Sequence, residues 1–194
     1  MTIALRCRCG KLRGQVDGKR VAARAVCYCK DCQAFGRFLG TGVLDPLGGT
    51  EVAATLPAAV RFDAGLEHLA CMSLGPQGLY RWYAGCCRTP IGNTPRDPRT
   101  SYLGLVRACL DAPDAELDRQ LGLLRCRVET RSAAGPVKTS PLSTAWAVCR
   151  IGTMLLKARL GGAYRDNPFF RAGTSEPLKP PQVLSLQERK ALSP

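Results

Sequence analysis

Seven cysteines fall into three tight groups in the first half of the chain. Cys7 and Cys9 lie in CRCGKLRG, Cys27, Cys29 and Cys32 in AVCYCKDCQAFG, and Cys86 and Cys87 in WYAGCCRTPIGNT. Thiols this close together admit four readings: a disulfide, a redox dithiol, a share in a metal site, or apolar core filler. The chain has 11 cysteines, an odd number, so complete internal pairing is impossible. In a reducing compartment, clustered thiols favour metal binding over a disulfide framework. Zinc takes four ligands, with thiolate sulfur at about 2.3 Å, and a tight turn between two cysteines lets both face one ion. The glycine after Cys9 permits such a turn.

Seven thiols divide as four plus three. Cys7, Cys9, Cys86 and Cys87 would make a closed, structural zinc site. Cys27, Cys29 and Cys32 would make an open one, with a position left for water or substrate. The expected cofactor is therefore Zn2+, one or two ions per chain. A redox C-x-x-C sits at the head of a helix in a βαβ context. The region around Cys29 shows neither, and that reading leaves Cys27 unused. Cys71, Cys109, Cys126 and Cys149 stand alone in apolar or alternating surroundings and read as buried filler.

The elements that must position these thiols are short. Residues 12–16 (LRGQV) alternate, and residues 58–65 (AAVRFDAG) end in a turn. LACMSL at 69–74, the turn GPQG, and LYRWYA at 79–84 carry a hairpin signature. Many short strands with Gly/Pro turns predict a mainly β domain over residues 1–105. An α+β extension over 106–194 is expected to pack on it. In that extension, Leu117, Leu121 and Leu124 predict a short helix, and LRCRVET at 124–130 alternates like a strand.

The clearest helix is SPLSTAWAVCRIGTMLLKARLGG. Ser140 is a good N-cap, Pro141 suits the first turn, and Gly161-Gly162 supplies the stop. Leu142, Trp146, Cys149, Leu156 and Leu160 share one face, read as the buried one. From about residue 177 a proline-rich, polar tail is predicted to be extended and partly mobile.

Composition bounds the function classes. Net charge is +13, spread evenly along the 194 residues without a basic tail. No stripe of cations interleaved with aromatics accompanies it, so a specific nucleic-acid partner is not expected. No apolar run approaches the roughly 20 residues that span a bilayer, and the first residues lack a signal-peptide core. A cytoplasmic location without a membrane partner is the expectation. The sequence sets no oligomeric state.

C-x-C-G near the N-terminus, then C-x-C-x-x-C, then C-x-T-P-I-G after a hairpin together resemble the glutathione-dependent formaldehyde-activating enzyme (GFA-like) family. The zinc core of centromere protein V is similar. The resemblance covers about residues 5–94. It implies a zinc-binding β-tent fold, a structural zinc at Cys7, Cys9 and Cys87, and a second zinc at Cys27, Cys29 and Cys32. It also implies carbon–sulfur lyase chemistry on glutathione or other thiol–aldehyde adducts. Two positions depart from the family pattern. Ala84 stands where the closing C-x-x-C-G-T has its first cysteine, and Arg88 where it has glycine. Cys86 can substitute only if the two neighbouring cysteines sit in a turn, because neighbours in a strand face opposite ways.

No catalytic residue is assigned from the sequence. Arg6, Arg8, Lys30, Arg37, Arg81 and Arg88 lie near the clusters and could meet a substrate's carboxylates. The sole histidine, His68, and Asp31 in the C-x-x-C turn read first as structural and solvated groups. Tyr164 and NPFF at 167–170 read as an anchor for the tail. The non-enzymatic alternative is a zinc-stabilised module whose C-terminal half binds a partner.

Overall fold

Alternation of side chains is the organising feature of the computed structural model, which describes residues 1–40 and 42–193. In β1 (Thr2–Arg6), Ile3 and Leu5 are buried while their neighbours face water. β1 pairs antiparallel with β2 (Arg13–Asp17), which pairs with β5 (Val60–Ala64), making a three-stranded sheet.

The remaining strands form one eight-stranded sheet. They are β3 (Ala23–Cys27), β4 (Thr50–Thr55), β6 (Leu69–Ser73), β7 (Tyr80–Ala84), β8 (Thr89–Thr94), β9 (Leu103–Val106), β10 (Cys126–Val128) and β11 (Pro181–Val183). Their order is β10-β3-β4-β9-β8-β7-β6-β11. The two outermost strands run parallel to their neighbours and the inner pairs run antiparallel. The hairpin read from the sequence is β6–β7, closed by a Gly78 N–H to Gly75 carbonyl bond of 3.0 Å. The fold is thus mainly β with a C-terminal helix, and strands from both halves of the chain share one sheet.

The main core lies between the two sheets. Trp82, Ile91, Leu103, Leu105 and Leu12 are fully enclosed there. The Trp82 indole N–H donates to Thr94 Oγ1 at 3.0 Å, which satisfies the one polar atom it brings inside. Phe169 packs against Trp82 with ring centroids 5.2 Å apart, and it is fully buried, with Phe170 beside it. NPFF is therefore an anchor.

Four helices complete the chain: α1 (Lys30–Leu39), α2 (Asp114–Leu121), α3 (Pro141–Leu160) and α4 (Leu186–Ala191). α1 covers the far face of β6 and β7, where Ala34, Phe35 and Leu39 meet Met72 and Leu74. Gly36 is required in α1, since a Cβ there would lie 2.5 Å from the Leu44 side chain. α2 is held by Arg24 of β3, whose buried guanidinium reaches Asp118 Oδ1 and Glu51 Oε1, each at 2.6 Å.

Three expectations are corrected. α3 begins and ends where the sequence reading placed it, with the Ser140 hydroxyl accepting from the Ser143 N–H. It packs, however, through Ala147 and Ile151 against Ala23 and Cys126, and Ala158 is buried further along the same side. The face carrying Leu142, Trp146, Cys149, Leu156 and Leu160 points outward. Ala147 lets the helix approach the small residues Ala23 and Cys126 closely, so that side won the contact and the stripe of larger residues was left outside. Cys149 is accordingly exposed and not filler, whereas Cys71, Cys109 and Cys126 are buried. The tail is not simply extended. β11 adds to the β6 edge, Leu184 enters the core under α1, and α4 starts with a capping box between Ser185 and Glu188.

Candidate metal centre

The first cysteine group is assembled by two turns at one end of the main core. Cys7 follows β1 directly, and the chain reverses at Gly10, which adopts φ +75°. The Gly10 N–H donates to the Cys7 carbonyl at 2.8 Å, and the Leu12 N–H donates to Cys7 Sγ at 3.3 Å. Gly85 to Arg88 form the turn between β7 and β8. Cys86 and Cys87 therefore sit in a turn, the condition under which neighbours can face one centre.

Arg88 adopts φ +56°, a left-handed conformation that suits glycine better. Its guanidinium donates to the Phe38 carbonyl at 2.8 Å and lies 5.6 Å from the Phe38 ring, tying the turn to α1. The two turns are stitched together. The Arg8 N–H donates to Thr89 Oγ1 at 3.0 Å, and the Arg8 guanidinium donates to the Cys87 carbonyl at 2.7 Å.

The resulting sulfur positions can be tested against a metal. Cys7 to Cys9 is 3.5 Å, Cys9 to Cys86 is 3.3 Å, and Cys7 to Cys86 and Cys86 to Cys87 are each 3.9 Å. All four sulfurs lie within 4.8 Å of one another. A tetrahedron with bonds of about 2.3 Å has edges of about 3.8 Å. A disulfide needs about 2.05 Å. The group thus has the size of a tetrathiolate site and not of a pair of disulfides. Burial opposes ionisation of Cys87, but hydrogen bonds from Thr89 Oγ1 and the backbone N–H groups of Cys9 and Thr89 outweigh it and bring the thiol down to about 6.

The second group sits where β3 hands over to α1. Cys27 is the last residue of β3, Cys29 is the N-cap of α1, and Cys32 lies in its first turn. The three sulfurs lie within 4.8 Å of one another. The Cys32 N–H donates to Cys29 Sγ at 3.3 Å, so a sulfur occupies the usual place of a capping oxygen. The Cys27 and Cys32 thiols hydrogen-bond to Cys29 and, with that N–H and the Arg81 charge, lower its pKa strongly. Cys27, holding its proton against Cys29 and Cys32, is raised. Three thiols this close form a donor set that would have to give up its protons on binding a cation.

The sequence reading expected no helix here, whereas α1 spans Lys30–Leu39 with Gly36 inside it. The C-x-x-C does head a helix. Its flanking strands β3 and β4 are antiparallel, however, so the βαβ context of a redox dithiol is not met.

Arg81 borders this second group. Trp82 faces the main core, so Arg81 on the same strand faces α1, and it is only 2% exposed. Its guanidinium lies 5.4 Å from the Phe35 ring centroid, and Nη2 is 3.6 Å from Asp31 Oδ2. Nε and Nη1 have no acceptor among the described residues. Asp31 also accepts from Arg189 of α4 at 3.2 Å, so the tail reaches the rim of the group. Tyr102 adjoins it as well, its pKa pushed up to about 12 by burial first and by Cys27 and Cys32 second.

Of the other basic residues named from the sequence, Arg6 pairs with Asp111 and Arg37 donates to the Leu192 carbonyl. His68 joins neither sulfur group and lies 3.5 Å from Glu67. Tyr102 carried no sequence signal at all, and Arg81 was one cation among six until α1 was seen to cover it. No helix among the described residues is long and apolar enough to cross a membrane.

Residues 1–178 match the model of a family of unknown function (DUF6151), and the chain belongs to that family. No curated protein matches the sequence.

Proposed function

We propose that this family member is a two-site zinc protein with thiol chemistry at one site, similar to the GFA-like proteins. In this reading Cys7, Cys9, Cys86 and Cys87 hold a closed structural ion. Cys27, Cys29 and Cys32 hold an ion whose fourth position is free for a small thiol such as glutathione. The asymmetry between four and three sulfurs is the observation that carries it. Zinc at the open site would supply Lewis acidity that lowers the pKa of an added thiol.

The chain's own groups fit the same task. Arg81 offers a buried positive charge with two donors to spare, matching an anionic ligand, and α1 directs its N-terminus to the same point. The reaction class is carbon–sulfur lyase. In the synthetic direction the thiol sulfur bonds to the carbonyl carbon, the C=O π bond opens, and the thiol proton ends on the oxygen, giving the S-hydroxymethyl adduct.

The test is exchange between labelled formaldehyde and its glutathione adduct, followed by NMR with zinc-loaded protein. Saturable acceleration that Cys29→Ser abolishes, with the fold intact by circular dichroism, supports the reading. Exchange no faster than without protein refutes it and leaves the zinc ions as structural staples of a partner-binding module. The outward face of α3 favours that second reading.

A further inference from the structure

α3 carries a feature that neither cysteine group uses. Leu142, Trp146, Cys149, Thr153, Leu156 and Leu160 follow one another by steps of four, three, four, three and four residues. That is the spacing with which one helix receives the knobs of another over three heptads. All six face water: Leu142 is 84% exposed, Leu160 79%, Leu156 58% and Trp146 50%. The opposite face of the helix is already packed on Ala23 and Cys126. At 20 residues, α3 presents this stripe along about 30 Å.

The two flanks of the stripe differ. One is small: Ala145 and Gly152 stand seven residues apart, and a Cβ built at Gly152 meets nothing within 4 Å. A neighbouring helix can approach closely there. The other flank falls into two hollows of about 230 and 460 Å³ between α3 and the body. Their linings include apolar residues, Leu123 and Trp146 in one and Val21, Leu56 and Met154 in the other. Their rims are basic, with Arg125 and Arg150 on one and Lys19 and Lys157 on the other.

Between Pro141 and Leu160 there is no acidic residue, while Arg150, Lys157 and Arg159 border the stripe. Among the described residues, none of Lys19, Arg125, Arg150, Lys157 and Arg159 is in an ion pair. Arg150 instead stacks on the Trp146 ring at 4.6 Å.

We propose that the outer face of α3 and its basic-rimmed hollows form the docking surface for an acidic amphipathic helix of another protein. The stripe spacing specifies a helix as occupant, and its leucines and tryptophan supply the apolar contact. The unpaired cations specify the charge: a partner with Asp and Glu beside its apolar positions meets each of them with an opposite sign. A second copy of this chain fits less well, because it would set three cations against three without an acid and add to the repulsion of a +13 protein. This surface rests on α3 alone and holds whether or not the open cysteine group supports turnover.

The probe is a synthetic three-heptad helix with leucine at the four-three positions and glutamate beside them. Its counterpart has lysine in place of glutamate. Binding is read from the fluorescence of Trp146, with Trp82 buried and constant, and from peptide anisotropy. The glutamate peptide is expected to bind at least about tenfold tighter than the lysine peptide, and to weaken with added salt.

The charge-reversed variant Arg150→Glu/Lys157→Glu should invert that preference, and Trp146→Ala should weaken both peptides. All three positions are exposed, and unchanged zinc content and circular dichroism show that the body is intact. Equal binding of the two peptides overturns the proposal. So does a dimer by light scattering that Trp146→Ala dissociates, which makes the occupant a second copy. So does binding of phosphatidylserine vesicles without preference between the peptides, which makes it a lipid surface.

Discussion

Replacing Arg81 by methionine separates what the guanidinium does for the fold from what it does for the second cysteine group. The side chain is enclosed, and Nε and Nη1 lack acceptors among the described residues. Each unmet buried donor costs about 1–3 kcal/mol, so the two together cost roughly 2–6 kcal/mol in protein without metal. Against that stand the Phe35 stacking, about 2 kcal/mol when desolvated, and the half-exposed contact with Asp31 at 3.6 Å, under about 1 kcal/mol. Methionine has similar reach and no polar atoms. Arg81→Met should therefore leave the metal-free protein within about 1 kcal/mol of the wild type or more stable.

With metal bound the sign reverses. Three thiolates and one dication carry a net negative charge beside the guanidinium. A charge-assisted contact of this kind is worth about 1.5–3 kcal/mol, so its loss should weaken metal retention at that group by about tenfold to about a hundredfold. The assay is titration of the zinc-loaded protein with a colorimetric chelator. One of two zinc ions should be released early in Arg81→Met, and the other as in the wild type. Release of both ions at wild-type chelator concentrations would refute the reasoning and show that a buried water satisfies Arg81.

Other consequences are less elaborate. Arg88→Gly removes about 1–2 kcal/mol of left-handed strain but also the contacts to Phe38, and should unfold in urea within about 1 kcal/mol of the wild type. Arg88→Ala keeps the strain, loses the contacts and should be clearly weaker. Arg24→Ala leaves the partly exposed Glu51 and Asp118 without their cation and should cost about 1–3 kcal/mol by the same measurement. Burial pushes Cys71 and Cys109 up to about 12 from 9.0. Their protonated forms therefore stabilise the fold fully below pH 9, and that contribution is lost as pH rises from about 9 toward 12. In thiol labelling near pH 8, Cys149 should react freely and Cys71 and Cys109 only on unfolding. Protection of Cys149 would show its face to be covered.

The cysteine grouping was legible from spacing alone, because thiols two or three residues apart can only meet through a tight turn and such turns are local. Which groups meet across the chain was also legible, through the resemblance and through the hairpin that carries Cys86 and Cys87. The helix after Cys29 was not: its closest packing, Gly36 against Leu44, is a tertiary contact that the local pattern does not carry. Arg81 could not be singled out, since alternation in a strand says which residues share a face and not what covers that face. For α3 the period was right and the buried side wrong. Hydrophobicity ranks Leu and Trp above Ala, but it is Ala147 and Ile151 that meet the surface of Ala23 and Cys126. No local pattern in the sequence encodes the shape of the surface a helix must meet.

The central claim is that the chain carries one closed and one open zinc site, and metal stoichiometry tests it directly. Native mass spectrometry with elemental analysis should find two zinc ions per chain in the wild type. Cys29→Ser should lose one while keeping its fold, and Cys87→Ser should lose the other together with stability. A single zinc that survives Cys29→Ser and is lost only with Cys87→Ser would contradict the account, leaving Cys27, Cys29 and Cys32 without a metal and the thiol chemistry without a site.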